Sequence, residues 1–296
     1  MTVEAKNFNV LTSRDWTDYE LVDSGNEQRL ERFGKYYLVR PEKQALWQLT
    51  LSEPEWSMVH AILQKAPGRR GEWKFIKDIP NKWTLSYGDL NFWVKVTKFG
   101  HIGVFPEQAA QWEWVTEQVR NSHRQLRILN LFGYTGITTL VAARSGASIT
   151  HVDASKPTIT WATENQKLSH LEDRPVRWII DDAIKFVKRE ESRGIEYDAI
   201  VADPPKFGRG PKGEIWRFED SFIALMQICK EVLSPDPQFV VVTAYDVPIS
   251  SITLGNVVAE MMQQYGGLTE CGELALRESS SKKLLSTSVY SRWSKK

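Results

Sequence analysis

Cysteine is nearly absent from this chain: Cys229 and Cys271 are the only two in 296 residues. Two thiols build no disulfide framework, so a reducing compartment is expected. The five histidines nowhere adopt metal-ligand spacing, and no metal site is expected. No apolar run reaches membrane-spanning length, and the opening MTVEAKNFNVLTSRDW has neither a hydrophobic signal core nor an Arg-rich amphipathic pattern. Together these absences point to the cytoplasm. An excess of charge is missing too: 38 Lys and Arg face 37 Asp and Glu, a formal net of +1. No global field then calls for an anionic partner, and a nucleic acid would have to be met by local basic patches. Repeats and low-complexity tracts are also lacking.

What is present is globular material, 42% hydrophobic and long enough for one large domain beside a smaller one. Residues 1–18 are polar and weakly patterned, which predicts a flexible arm. From 19 to 99 the runs YELVDS, RLERF, YYLVRP, EWKFI, WTLSY and LNFWVKV predict meandering antiparallel strands. A helix from Pro54 to Gln64 and a loop at 66–71 are expected among them, giving a small strand-rich α+β domain. From 100 to 296 the texture changes. A helix begins at Pro106, where a missing amide hydrogen costs nothing. Strands centred on 127–132, 148–152, 176–180, 197–202 and 238–243 then alternate with helices, and LTECGELALR and LLSTSVYSRW close as a hairpin. The pattern predicts an α/β fold: a mostly parallel sheet with helices on both faces and a terminal antiparallel hairpin.

Four of those strands end in residues that carry chemistry. ILNLF runs into Gly133-Tyr134-Thr135-Gly136, a turn that lets a ligand approach the backbone closely. The form is Gly-x-x-Gly and not the Gly-x-Gly-x-x-Gly of dinucleotide sites. Asp153 closes the next strand, twenty residues after Gly133, where a carboxylate can accept from two ribose hydroxyls; Ser155 is better placed to cap the following helix. Asp181 and Asp182 end the third strand, and either could accept from an adenine amino group or simply cap a helix. We favour Asp182 for the contact. The fourth ends in Asp203-Pro204-Pro205-Lys206-Phe207. The prolines fix the loop and leave carbonyls facing the cleft, while Phe207 offers a face for stacking a base.

The segments LNLFGYTG, VDAS, DDAIKF and DPPKFGRG together resemble the class I S-adenosylmethionine-dependent methyltransferases. Within them they resemble the group around the bacterial 23S ribosomal-RNA methyltransferases of the large-subunit I and K types. The resemblance covers residues 100–296 and implies a Rossmann-like sheet with S-adenosylmethionine as cofactor. It implies cofactor contacts from Asn130, Phe132, Gly133, Tyr134, Thr135, Gly136, Asp153, Asp181 or Asp182, and Asp203. HIGVFPEQ looks like the family segment lying over the cofactor, which adds Phe105, Glu107 and Gln108. Asp203, Pro204 and Phe207 would serve transfer, with Lys206, Phe207 and Arg209 on the substrate.

Two departures narrow the expectation. The carbon-5 cytosine enzymes of the group use a cysteine after the fifth strand, where this chain reads VVVTAYDVP. Cys229 shares an apolar helical stripe with Phe222, Leu225, Met226 and Leu233, a packing pattern, and Cys271 lies far along the chain from the motifs. Nitrogen is therefore favoured as acceptor. No additional RNA-binding module of the kind type I members carry is evident. Local charge remains in Arg69, Arg70, Lys74, Lys77 and Lys82 around Trp73, Phe75 and Trp83, and in Lys206, Arg209 and Lys212 around Phe207. Ribosomal RNA is the favoured partner. A small-molecule or protein acceptor, a non-catalytic RNA-binding factor and a nicotinamide-dependent oxidoreductase stay open as alternatives.

Overall fold

Strands buried on both faces read as largely apolar runs, and this chain lays four of them side by side with a more exposed fifth at the edge. A computed structural model describes residues 8–13, 16–64, 71–98 and 100–296. In chain order its elements are β1 (Phe8–Thr12), β2 (Tyr19–Gly25), β3 (Gln28–Phe33), β4 (Tyr36–Pro41), α1 (Glu53–Trp56), β5 (Ala61–Gln64), β6 (Glu72–Phe75), β7 (Trp83–Tyr87) and β8 (Leu90–Val94). Then come α2 (Ala109–Asn121), β9 (Arg127–Leu131), α3 (Ile137–Arg144), β10 (Ser148–Asp153), α4 (Lys156–Leu168), β11 (Val176–Ile180), α5 (Ala183–Ser192) and β12 (Ala199–Ala202). The last are β13 (Phe207–Arg209), β14 (Ile215–Arg217), α6 (Phe218–Glu231), β15 (Phe239–Ala244), α7 (Ser251–Met261), β16 (Leu268–Arg277) and β17 (Leu284–Ser294).

The chain divides into two compact units. The larger holds Gln111–Leu274, Ser288–Lys296 and the segment ending at Leu11; the smaller holds Thr12–Ala110 and Ala275–Thr287. An eight-stranded sheet runs in the order β1, β16, β17, β15, β12, β9, β10, β11. The five strands from β15 to β11 are parallel, and β17 is antiparallel to β15. Alternate residues feed two cores. Leu129, Leu131, Ile200, Ala202, Val240 and Val242 pack with side chains of α5, α6 and α7. Ile128, Ala199, Val201, Phe239 and Val241 pack with Val115 and Val119 of α2 and Ala142 and Ala143 of α3. Each fully buried aliphatic side chain contributes about 1.5–3 kcal/mol of transfer free energy, so the register of every strand is strongly specified. The chain builds outward from β9 through β10 to β11, then returns to β12 on the other side of β9. That reversal opens a crevice at the carboxyl ends of β9 and β12, where ligands of open α/β sheets bind.

The smaller unit is a five-stranded sheet ordered β2, β3, β4, β5, β6 with a separate β7–β8 hairpin. Glu31, fully buried, is held by Arg40 through two 2.7 Å bonds and by the Tyr19 hydroxyl at 3.0 Å. Burial raises its pKa, but Arg29 and Arg40 outweigh that and hold it below the usual glutamate value.

The parallel sheet, the flanking helices and the terminal hairpin match the sequence expectation; four local features do not. Residues 8–12 of the expected arm are a strand at the sheet edge beside β16. The expected helix 54–64 stops at Trp56, because its Ser52–Glu55 capping box and Pro54 start a turn that the alternating AILQ cannot continue. Ala61–Gln64 instead pairs parallel with β4 and antiparallel with β6, so the small sheet is not wholly antiparallel. The boundary between units falls at 110 and not at 99, and the tip of the terminal hairpin counts with the smaller unit. Residues 1–7 of the arm, the loop at 66–70 and with it Arg69 and Arg70 lie outside the described residues.

Candidate active site

The first corner is tight. Phe132 and Tyr134 take positive φ, 55° and 51°, on either side of Gly133, and Gly136 follows at φ 83°. The Gly136 amide donates to the Gly133 carbonyl at 3.0 Å, closing the turn before α3. A Cβ on Gly133 would lie 2.4 Å from His151 Cε1, and one on Gly136 2.9 Å from the Ala162 Cβ, so neither position admits a side chain. Beneath the loop the Asn130 amide donates to Thr139 Oγ1 at 2.8 Å, and that oxygen lies 2.8 Å from His151 Nδ1. Burial pushes the His151 imidazole down to about 3, so it sits there neutral. Asn165 Nδ2 donates to the Thr135 carbonyl at 2.9 Å, tying α4 to the loop, and the Trp112 indole donates to Thr138 at 3.1 Å, tying α2 to the first turn of α3. Asn130 and Thr135 are buried supports of the loop; Phe132, Gly133 and Tyr134 are half-buried.

Asp153 stands across from it. Its Oδ2 accepts from the Tyr134 amide at 3.1 Å and its Oδ1 from the Ser155 amide at 2.8 Å. Burial lifts the carboxyl above the usual aspartate value, against the lowering pull of those two amides. Each oxygen retains lone-pair capacity, so the group can accept two further hydrogen bonds. Ser155 caps α4. At the third corner the aspartates have separate partners. Asp181 Oδ1 accepts from the Asp182 amide at 2.8 Å and its Oδ2 pairs with Arg189, whereas Asp182 Oδ1 caps α5 through the Lys185 amide at 2.9 Å. Beside them Ile180, on the edge strand, is 42% exposed.

The fourth corner leaves β12 next to the first: the Asp203 amide donates to the Leu131 carbonyl at 3.2 Å. Both prolines do not present carbonyls to the cleft as the sequence suggested, because the Trp216 indole donates to the Pro205 carbonyl at 2.6 Å. The Trp216 ring also packs on Phe132 with centroids 4.8 Å apart, clamping the Asp-Pro-Pro corner to the Gly133 loop. Nothing in the GRGPKGEIWR run announces this, except that Trp216 is its one aromatic residue. Phe207 starts the short hairpin β13–β14 and is 53% exposed. Lys206 Nζ lies 3.8 Å from Asp246, and Arg209 and Lys212 are exposed.

Other candidates fall elsewhere. Phe105, Glu107 and Gln108 belong to the smaller unit, where Glu107 and Gln108 are buried. Burial raises the Glu107 carboxyl above its usual value despite Arg29 and Arg40. Trp83 is also a core residue, its indole donating to the Phe33 carbonyl at 3.1 Å, and the Trp73 indole donates to the Thr97 carbonyl at 2.8 Å. Lys82 lies over Trp93, and Lys77 donates to the Ser57 and Met58 carbonyls. Phe75 alone of that aromatic set is strongly exposed. Cys229 is buried among Phe222, Leu225, Met226 and Leu233, and burial pushes its thiol up to about 12; Cys271 is buried as well. The fifth strand ends in buried Thr243 and Ala244.

Among the described residues no three metal-ligating side chains cluster, and no helix is long and apolar enough to cross a membrane. In the larger unit, then, Gly133–Gly136, Asp153 and Asp203–Pro205 are joined by direct backbone bonds or by Trp216. A glycine cradle without room for a side chain and a half-buried carboxylate with spare acceptor capacity fit an adenosyl cofactor's ribose and tail.

Comparison with known proteins agrees. A family model described as S-adenosylmethionine-dependent methyltransferase matches residues 21–249. The crystal structure of the SAM-dependent methyltransferase from Agrobacterium tumefaciens is 45% identical, with a TM-score of 0.93 over 97% of this chain and 94% of that one. Ribosomal RNA large subunit methyltransferase K of Neisseria meningitidis serogroup B is 25% identical over 196 residues, 64% of this chain and 54% of that protein. The K/L enzyme of Chromohalobacter salexigens is 33% identical over 132 residues, 44% of this chain and 17% of its own length. This chain thus spans about half or less of those two curated relatives. By fold alone it is similar to SMU.776 complexed with SAH, at 16% identity and a TM-score of 0.67 over 95% of this chain and 76% of that one. The match over most of its length, on the fold and corners described, makes the chain a member of the S-adenosylmethionine-dependent methyltransferase family.

Proposed function

We propose that this methyltransferase acts on a base of RNA, with ribosomal RNA the favoured substrate and a nitrogen, not carbon 5 of cytosine, the acceptor. The observation that carries the reading is the Asp203-Pro204-Pro205 corner at the switch point. It is clamped to the cofactor loop by Trp216 and followed at once by an exposed ring among cations. When bound, S-adenosylmethionine supplies a methyl group on a sulfonium that is already electrophilic. The residues then have only to place the acceptor in line with it. Asp203 and the Pro204 carbonyl accept hydrogen bonds from the base's amino or ring N–H and so orient the reacting lone pair. Phe207 stacks on the ring, and Lys206 and Arg209 meet phosphate. Asp153 accepts from the two ribose hydroxyls, Asp182 from the adenine amino group, and Ile180 packs beside the adenine ring. No thiol takes part: both cysteines are buried, and a thiol raised to about 12, as Cys229 is, stays protonated at neutral pH. The names of the curated relatives favour ribosomal RNA.

Comparing nucleosides of ribosomal RNA from a deletion strain and its parent by mass spectrometry tests this. One nitrogen-methylated nucleoside missing from the deletion strain is the expected result. An unchanged profile, or loss of 5-methylcytidine, overturns it.

Asp153 gives the cofactor site a pH signature. Only the ionised carboxylate accepts from both hydroxyls, and its pKa lies above the usual aspartate value. Affinity for S-adenosylhomocysteine should therefore be full near neutrality. It should fall on acidification, beginning at a higher pH than a free aspartate would set. Isothermal titration from neutrality down to about pH 3.9, where a free aspartate titrates, follows this limb. Asp153→Asn should bind about tenfold or more weakly at pH 7, the loss expected for a charge-assisted bond, with a flat profile. A wild-type profile in that variant removes Asp153 from the ribose.

A further inference from the structure

The β13–β14 hairpin has two unlike faces. Its register pairs Phe207 with Arg217, Gly208 with Trp216 and Arg209 with Ile215. Residues paired directly across antiparallel strands share a face, so Phe207, Arg209, Ile215 and Arg217 lie together opposite Gly208 and Trp216. Trp216 is buried against Phe132 and bonded to Pro205, which fixes the inner face to the sheet. The outer face is open: Phe207 is 53% and Ile215 61% exposed, and both arginines are exposed. On it each apolar side chain has an arginine as its cross-strand partner and another two residues along its own strand. Lys206 precedes this face and Lys212 lies in the turn between the strands. The nearby acids are accounted for or off it: Glu214 pairs with Lys185 at 2.6 Å, Asp246 lies 3.8 Å from Lys206, and Glu219 and Asp220 belong to the first turn of α6.

We infer that this face is a platform for single-stranded RNA, holding the nucleotides that flank the methylated base as well as that base, which Phe207 stacks. The inference rests on the RNA-base reading above and extends it from one acceptor base to a bound strand. An exposed ring and an exposed aliphatic chain side by side are costly in water unless a flat, apolar partner covers them, and nucleobases are such partners. Arg209 and Arg217 then pair with the phosphates between those bases, and their guanidinium planes can themselves stack. A duplex is the wrong shape, because its base faces are already stacked on one another. The rigid Pro204-Pro205 link places the first platform residue four positions after Asp203, so a strand lying on the hairpin sets the base stacked on Phe207 against the corner.

The test uses the full chain with a fluorescein-labelled, mixed-sequence oligoribonucleotide of about a dozen nucleotides, near the single-strand site sizes known for small modules. Anisotropy is measured against salt, alone and after hybridisation to its complement. Tritium transfer into total cellular RNA and total cellular protein is run in parallel. The wild type should prefer the single strand. Phe207→Ser with Ile215→Ser should weaken binding about tenfold or more with little change in salt dependence, as expected for lost stacking. Arg209→Ser with Arg217→Ser should reduce the slope of log K against log salt by about 1.4, two phosphates at roughly 0.7 each. Both double variants should keep wild-type affinity for S-adenosylhomocysteine, which shows that they are folded. Wild-type binding of oligoribonucleotide by the variants, preference for the duplex, or loss of label from protein in place of RNA overturns the platform. Label entering RNA equally well with both variants sinks the platform and leaves the RNA reading standing. A wild-type enzyme that labels no RNA sinks both.

Discussion

Replacing Asp203 by Ala should lower kcat by about 10²-fold or more, the scale on which a misplaced reactant costs rate, while S-adenosylhomocysteine still binds nearly as to the wild type. Asp203 follows the last residue of β12, and its amide is held on the Leu131 carbonyl at 3.2 Å, so the backbone at this corner is set by the sheet and not by the side chain. Removing the carboxylate therefore leaves the Gly133 loop and Asp153 in place. What is lost, on the proposed function, is the acceptor that orients the base. Asp203→Asn keeps the shape and one oxygen but adds an N–H where the base is expected to donate, so its rate should stay close to that of the alanine variant. Single-turnover transfer into RNA, read beside calorimetric titration with S-adenosylhomocysteine, separates the two roles. Undiminished turnover in Asp203→Ala removes the residue from acceptor positioning. Turnover and cofactor affinity falling together would make it a cofactor ligand instead.

How legible the site was in the sequence follows from how each corner is built. A parallel sheet buried on both faces writes itself as largely apolar runs, and Leu129, Leu131, Ile200 and Val240 mark strands because an unpaired polar group would be costly there. Such strands end where a Gly or Asp is required, which is why Gly133, Asp153 and Asp203 stand out in the sequence. Asp181 and Asp182 could not be told apart, since both follow the strand and either can cap a helix. Their difference lies in Arg189 of α5, a partner eight residues on.

The missed features depend on contacts remote in the chain. Trp216 clamps Pro205, eleven residues earlier, across a run that reads as a polar loop, and the three-residue strands around it are too short for any alternation to show. Residues 275–287 join the smaller unit through bonds such as the Ser279 amide to the Leu21 carbonyl at 2.9 Å and the Ser280 hydroxyl to Asp23 at 3.0 Å. No local pattern encodes a partner more than 250 residues away. At 54–64 the local signal is that of a helix start, but the strand pairing of Ala61–Gln64 with β4 and β6 ends it. Tertiary pairing overrides propensity wherever a short segment satisfies both.

Gly133→Ala should be the most damaging single methyl group that can be added to the proposed cofactor site. The new Cβ would lie 2.4 Å from His151 Cε1, 2.6 Å from its Nδ1 and 3.0 Å from Asn130 Nδ2. None of these can step aside at low cost. His151 is fully buried, in contact with Thr139 at 2.8 Å and with the Trp178 ring at a centroid distance of 4.6 Å, and Asn130 is bonded to the same threonine. The loop itself must move, and its neighbours at φ 55° and 51° are already in the sparsely populated left-handed region. Any shift draws the Tyr134 amide away from Asp153 and changes how that carboxylate is aimed. Affinity for S-adenosylhomocysteine should fall about tenfold or more, and overpacking should cost about 1–3 kcal/mol of stability, read as a lower melting temperature. A second change locates the cause. His151→Ser removes a neutral ring, not a charge, so Gly133→Ala combined with His151→Ser should recover part of the lost affinity by giving the methyl group room. Wild-type cofactor affinity in Gly133→Ala alone would show that the loop is not the tight cradle its geometry describes. A double variant no better than the single would place the damage in the Tyr134–Asp153 contact and not in the clash with His151.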